Sequence, residues 1–248
     1  MYQETGIRLW RWANAVSCLG VLQFLVLSIL ATHRYAGGTI WERHRVGYSY
    51  SENYLSDLGR TEAWSGVSNR SAARLFNGGV IILGASLVPF FLFLPAHAPD
   101  KSSLLWIAAV FGIFSTVALI RIGLTPYDTH LAAHQTALVL WVLLLLITVG
   151  LHAWALLTST EASTLFGLVS FLLAMLIVTY GIRGMEGMDA TAQRSVPALQ
   201  KGVVLGAVGW YLAFSARMIC TRELAHTERD TTLDESARQY LRRLGRYR

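Results

Sequence analysis

An all-α, polytopic membrane bundle is the fold class this sequence predicts, and three observations predict it. Of the 248 residues, 54% are hydrophobic and only 15% are charged, with a mean hydropathy of +0.44, too apolar for an ordinary soluble domain. The apolar residues gather into six windows of roughly the 20 residues that a helix needs to cross a bilayer core. Those windows lack the alternating polarity of a membrane β-barrel, and the helix is the other structure that pairs its backbone groups within lipid.

The first span covers 9–32. Arg8 and Arg11 flank it, but the apolar run is too long for a leader core and no convincing small-residue cleavage site follows, so it reads as a retained span. The connection over 33–73 is the longest, is rich in Tyr and Trp, and reads as an ordered cap. It holds Tyr48-Ser49-Tyr50-Ser51-Glu52-Asn53-Tyr54-Leu55-Ser56-Asp57-Leu58-Gly59. Its last four residues also fit a plain turn, with Asp57 bonding nearby backbone and Gly59 supplying a positive φ. Span two, 74–94, opens with Arg74 and Asn77 three apart on one face, although a basic residue there also snorkels readily to the interface. Span three, 103–124, carries Arg121 about one turn before Thr125-Pro126, where the proline ends the helix. Asp128 or Thr129 is placed to cap span four, 131–157. The first turns of that span hold His130 and His134, and its far end holds His152, expected at the interface. Span five, 163–182, is featureless until Arg183 and an acidic link. Span six, 200–219, opens with Gln200-Lys201, and Gly202, Gly206 and Trp210 make a small-residue packing seam.

These spans form a transmembrane domain over 1–220, and the tail over 221–248 differs in kind. Thr232 to Glu235 matches a capping box, after which Leu233, Ala237, Leu241 and Leu244 recur at helical spacing among arginines. A basic amphipathic helix of this sort lies on an anionic leaflet, which places both termini on the cytoplasmic side of an inner or plasma membrane. With the tail included, Lys and Arg are nearly balanced between the two sides, eleven to ten, and because long loops cross regardless of charge the first connection weighs less, so the tail decides the orientation. The net charge of +6 is modest and no basic run with interleaved aromatics lies outside the tail, which argues against nucleic acid and for membrane lipid as partner. Cys18 and Cys220 sit at opposite ends of the span region and indicate neither a disulfide nor a cysteine metal site.

With six spans, the connections after spans one, three and five share one side. Glu52, Asn53, Ser56, Asp57, Arg74, Asn77, Arg121, His130, His134, Gln200 and Lys201 therefore converge at one membrane face. His130 and His134, four apart at the opening of a helix, would share one of its faces, a metal-ligand or proton-relay spacing. The cluster is basic, with a carboxylate and two imidazoles. It suits a phosphate or carboxylate headgroup held by Arg74, Asn77, Arg121, His130, Gln200, Lys201, Glu52 and Asn53. An enzyme acting on lipid esters or amides would use His134 or Asp57 as general base and Arg121 as clamp. An accessory subunit of a larger membrane complex is the third possibility.

The loop through Asn53-Tyr54-Leu55-Ser56-Asp57-Leu58-Gly59, Leu75-Phe76-Asn77 at span two, and Pro126, Asp128 and His134 before and within span four resemble the DUF998 family of six-span membrane proteins. That family is distantly similar to the Frag1/DRAM/Sfk1 group, some members of which are tied to lipid or GPI-anchor remodelling. The resemblance implies the fold and a lipid context but no reaction. A weaker similarity, to seven-span ceramidase and adiponectin-receptor-like hydrolases, implies a catalytic zinc with a serine and an aspartate nearby. Here that role would fall to His130, His134 and Asp57, with Asp57 as third ligand and Ser56 beside it.

Overall fold

The computed structural model describes residues 2–185 and 194–217, and over these the chain is helical. The long helices are α1 (Tyr2–Arg34), α2 (Arg70–Leu92), α3 (Ser102–Leu124), α4 (Leu131–Thr158) and α5 (Thr164–Met185), followed by α6 over 196–217. Among the described residues the one β pairing is an isolated antiparallel bridge between Glu62 and Ser68. Helices α1 to α5 each contain a stretch long and apolar enough to cross a membrane. The amphipathic helix expected in the tail and the acidic link after α5 lie outside the described residues.

Neighbours in sequence are neighbours in space: α1 packs on α2, α2 on α3, α3 on α4 and α4 on α5. Helix α6 turns one face into the bundle, where Val203, Trp210, Tyr211 and Phe214 are buried, and leaves Leu205 exposed on the other. Phe90 of α2 meets the Trp210 and Tyr211 rings edge-on at 5.3 and 5.1 Å, the geometry that aromatic quadrupoles favour. Outward faces stay apolar, with Leu22, Val26, Phe114, Val117, Leu143 and Leu172 exposed, as lipid-facing surfaces must be when the surrounding solvent is hydrocarbon. Of the expected seam on α6, Gly206 faces Leu173 of α5, 3.1 Å from where a Cβ would lie, whereas Gly202 faces open space.

Helix α2 begins one turn before the expected span because its first turn is amphipathic. Ala72 and Ala73 are buried while Arg70, Ser71 and Arg74 are exposed, a pattern that a hydropathy window cannot see. Its N-cap residue, Asn69, spends its side chain elsewhere. Nδ2 donates to the carbonyls of Leu58 (3.1 Å) and Arg60 (2.9 Å), and Oδ1 accepts from the Ala36 amide (3.3 Å). The loop between α1 and α2 is thereby laced to the start of α2.

Residues Leu55–Gly59 make a single 3-10 turn. Gly59 is not the positive-φ residue expected from its place in that turn; positive φ in this connection falls at Gly37, Gly38, Gly47 and Gly66. Gly59 is instead required by close approach, since a Cβ there would lie 2.3 Å from Asn77 Oδ1. Asn77 Nδ2 in turn donates to the Gly59 carbonyl at 2.9 Å. Gly59→Ala is therefore expected to displace the Asn77 side chain and to lower stability by about 1–2 kcal/mol, read as a lower Tm in detergent. An unchanged Tm would show that the turn yields freely.

Candidate functional site

The connections after α1 and α3 and the first turns of α6 meet at one end of the bundle, and each contact has an identifiable donor and acceptor. Asp128, between α3 and α4, accepts from the Thr61 amide (3.0 and 2.9 Å), the Thr61 hydroxyl (2.6 Å) and the Glu62 amide (2.9 Å). Burial opposes its ionisation, but these bonds outweigh burial and hold the carboxyl below its ordinary value. Gln200 of α6 accepts from the Leu55 amide at 2.8 Å. Lys201 donates to the carbonyls of Asn53 and Pro197 and lies over the Tyr48 ring, 5.5 Å from its centre. Asp128 is thus a clamp on the cap and not the cap of α4 that its position suggests. The N-cap residue of α4 is His130, and its side chain makes no capping bond.

Within the cap, Asn53 is fully buried and bonds the Gly38 carbonyl (3.0 Å), Asp57 Oδ2 (3.0 Å) and the Ser49 amide (2.9 Å). Asp57 also accepts from the Tyr54 amide at 2.9 Å. Burial pushes the Asp57 carboxyl up, against those hydrogen bonds and the charge of Arg60. Desolvation first, then the Asp57 charge, raise the Tyr35 hydroxyl to about 12. Both groups serve the cap's own interior.

Beneath the cap lies a cavity of about 70 Å³, bounded by side chains of α1, α2, α3, α4 and α6 and roofed by Leu55 and Ser56. Its walls are apolar, with Phe24, Leu83 and Trp141 among them, and its polar groups are Ser56, His134, Gln200 and Tyr211. His134 is 3% exposed. Its Nδ1 lies 2.7 Å from the Thr125 carbonyl, and because a carbonyl only accepts, Nδ1 carries the proton. Nε2 is consequently a lone pair, buried and without a partner. The Tyr127 ring stands edge-on to the imidazole at 5.7 Å, and Arg60 lies between the Tyr127 and Trp64 rings, 5.7 and 3.9 Å from their centres.

A second space of about 200 Å³ opens between α1 and α6. Leu25, Ile29 and Leu205 line its apolar length, and Thr32, Tyr50 and Lys201 its cap end. Phe24, Leu55 and Val204 belong to the walls of both spaces, so one layer of side chains divides them.

The expected site residues are therefore only partly gathered. Ser56, His134 and Gln200 border the central cavity, and Lys201 borders the groove. Arg74 and Arg121 are exposed on their helices, as basic residues near span ends are when they reach for the interface. Glu52 pairs with Arg45 (3.2 Å) and Arg194 (4.0 Å) on the cap surface. His130 is exposed and contacts Thr129 Oγ1 at 2.8 Å. Having φ −136° and ψ 48° it precedes the helix, so the four-residue spacing does not place it on the face of His134. The zinc set His130, His134 and Asp57 is not assembled, and among the described residues no three His, Cys, Asp or Glu side chains form such a group. Nor does Asp57 fix the tautomer of His134; the Thr125 carbonyl does. Since Nε2 lacks a partner, Ser56 makes no hydrogen bond to it.

His152, expected at the interface, is fully buried at the opposite end of the bundle. Trp210 Nε1 donates to Ser170 Oγ (2.8 Å), which donates to the Phe166 carbonyl (3.1 Å). His152 Nδ1 must then donate to Ser170 (3.0 Å), and its Nε2 accepts from His97 Nδ1 (2.9 Å). Both imidazoles are neutral in this chain, and burial, with the charge of Arg217 adding to it, pushes His97 down to about 3. The chain ends on a backbone carbonyl, so it packs three helices together and leads nowhere.

Neither a protein-family model, nor a curated protein, nor a solved structure matches the chain.

Proposed function

We propose that the chain is a six-span membrane protein, α6 being the sixth crossing, that holds a lipid with an anionic headgroup at the capped end of the bundle. The observation that carries this reading is the groove between α1 and α6. Its length is apolar and open to the side, as an acyl chain requires, and its cap end presents the Lys201 ammonium. That ammonium uses two carbonyl partners and makes no ion pair among the described residues. A lysine offers three donors, so one remains for a phosphate or carboxylate oxygen, and the tail of such a lipid would lie along Leu25, Ile29 and Leu205. With the basic tail on the cytoplasmic leaflet, the cap and its lipid belong to the outer one. The resemblance to the DUF998 family supports the same six-span, lipid-facing context.

Native mass spectrometry of the full chain released from nanodiscs of equal phosphatidylglycerol and phosphatidylcholine tests this. The wild type is expected to retain phosphatidylglycerol preferentially, and Lys201→Met to lower that preference about tenfold, the scale of one charge-assisted hydrogen bond. A wild-type chain that retains both lipids equally would overturn the reading.

A further inference from the structure

We infer that the central cavity is a second binding site, one for the hydroxyl end of an apolar alcohol, with His134 Nε2 as the acceptor of its proton. Three observations lead there. First, His134 is held in one tautomer by the Thr125 carbonyl, so the atom it presents is a lone pair and can only accept. Second, that atom is buried and unpartnered. A polar atom left so costs about 1–3 kcal/mol, so a donor that reaches it is favoured by its full hydrogen bond. Third, the cavity that His134 borders is walled mostly by apolar side chains, Phe24, Leu83, Leu87 and Trp141 among them, and its other polar groups, Ser56, Gln200 and Tyr211, leave Nε2 without a partner.

These conditions select the chemical class. A phosphate or carboxylate has no proton to give at neutral pH and would set its charge against a lone pair. An ammonium would bring a charge into an apolar space with no carboxylate at its wall. An alkane leaves Nε2 unpaired. A hydroxyl donates one hydrogen bond and carries no charge, and its chain finds apolar contact below. At about 70 Å³ the cavity holds roughly four or five water-sized centres, enough for a hydroxyl with a short run of carbons. A longer chain has a path outward, because the partition of Phe24, Leu55 and Val204 is made of side chains and gives onto the groove between α1 and α6. The site differs in chemistry from the Lys201 end of that groove and does not depend on what binds there.

Histidine-selective ¹⁵N NMR of the full chain in nanodiscs tests the inference, with 1-hexanol and its isomer pentyl methyl ether as probes. The two have the same atoms, and only the alcohol has a proton to donate. The chain has seven histidines. The His134 Nε2 signal is assigned by its loss in His134→Gln, or, if that variant fails to assemble, by through-space contact with the Tyr127 ring. It is expected to move upfield saturably with 1-hexanol, as an acceptor nitrogen does. The ether is expected to need at least tenfold more for any shift. Lys201→Met is expected to give the same response, so a failed headgroup reading would leave this one standing. The inference is overturned if 1-hexanol gives no saturable shift, or if the ether acts equally. It is also overturned if Nε2 already resonates as a hydrogen-bonded acceptor and does not move, since a trapped water then holds the position.

Discussion

Replacing Gly20 by leucine is expected to part α1 from α2 and to leave little assembled protein. A Cβ at position 20 would lie 1.7 Å from Ser86 Oγ and 2.3 Å from Ser86 Cβ. Rotating the serine hydroxyl removes the first clash but not the second, because Cβ is fixed to the α2 backbone. Relief requires the helices to separate, and separation breaks the bond from Ser17 Oγ to the Ser86 carbonyl, 2.8 Å long. It also loosens the contact at Gly79, where a Cβ would lie 3.4 Å from Leu27 Cβ. Small residues at such crossings are what let membrane helices approach, since hydrocarbon supplies no hydrophobic drive between them. The cost is on the order of 3–5 kcal/mol, the range for overpacking and lost contacts combined. Size-exclusion profiles and thermal melts in detergent measure it. Gly20→Ala is expected to cost less, and Ser86→Gly added to it to recover part of the loss, because that change deletes the Cβ in the way. A Gly20→Leu chain that purifies and melts like wild type would mean that the crossing is not as close as the structure has it.

The helical bundle was legible because hydrocarbon imposes a simple rule on sequence: a long apolar run must be a helix, and α1 to α5 obey it within a turn at most ends. Convergence of loop one, the turn at Asp128 and the start of α6 was legible too, because counting spans fixes which connections share a side. Individual polar roles were not. Asp128 looks like a helix cap in sequence, and its side chain is committed to a loop that is distant in the chain; only the folded loop supplies the amides and hydroxyl it takes. His130 and His134 look like a pair because the spacing rule assumes helix at both positions. The helix starts one residue too late for that. His152 looked interfacial from its place near a span end, but α4 runs 28 residues, about 42 Å at 1.5 Å per residue, and the aromatic side chains of α6 enclose that end. No local signal in the sequence marks His97 as its partner, because the two meet only when the connection after α2 folds back over the bundle.

Asp128→Ala is expected to release one side of the cap, and the acid limb of the wild type should mimic it. Three donors of Thr61 and Glu62 reach this one carboxylate. Bonds to a charged acceptor are worth about 1.5–3 kcal/mol each in favourable settings, but the carboxylate is only partly buried and water replaces what is lost. A net loss of about 2–3 kcal/mol follows, or roughly a 30- to 150-fold fall in hydrogen-exchange protection of the Thr61 and Glu62 amides. The fold should survive, since Gln200 and Lys201 still hold the other side of the cap. The pH dependence has a definite sign. The folded carboxyl titrates below its unfolded value of about 4, so its contribution is complete above that value and is lost as pH falls through the lower, folded one. Wild-type protection should accordingly be flat at neutral pH and decline in the acid range, once corrected for intrinsic exchange, while Asp128→Ala shows no such decline at these two amides. Equal protection in the two proteins at pH 7 would remove Asp128 from the clamp. Unequal protection with a wild-type profile that stays flat into strong acid would keep the clamp but deny that charge supplies it. Because Ser56 and Leu55 roof the cavity over His134, the same experiment also reports how firmly that space is closed: if the roof depends on this clamp, exchange at Leu55 and Ser56 rises with that at Thr61, and if it depends on Gln200, it does not.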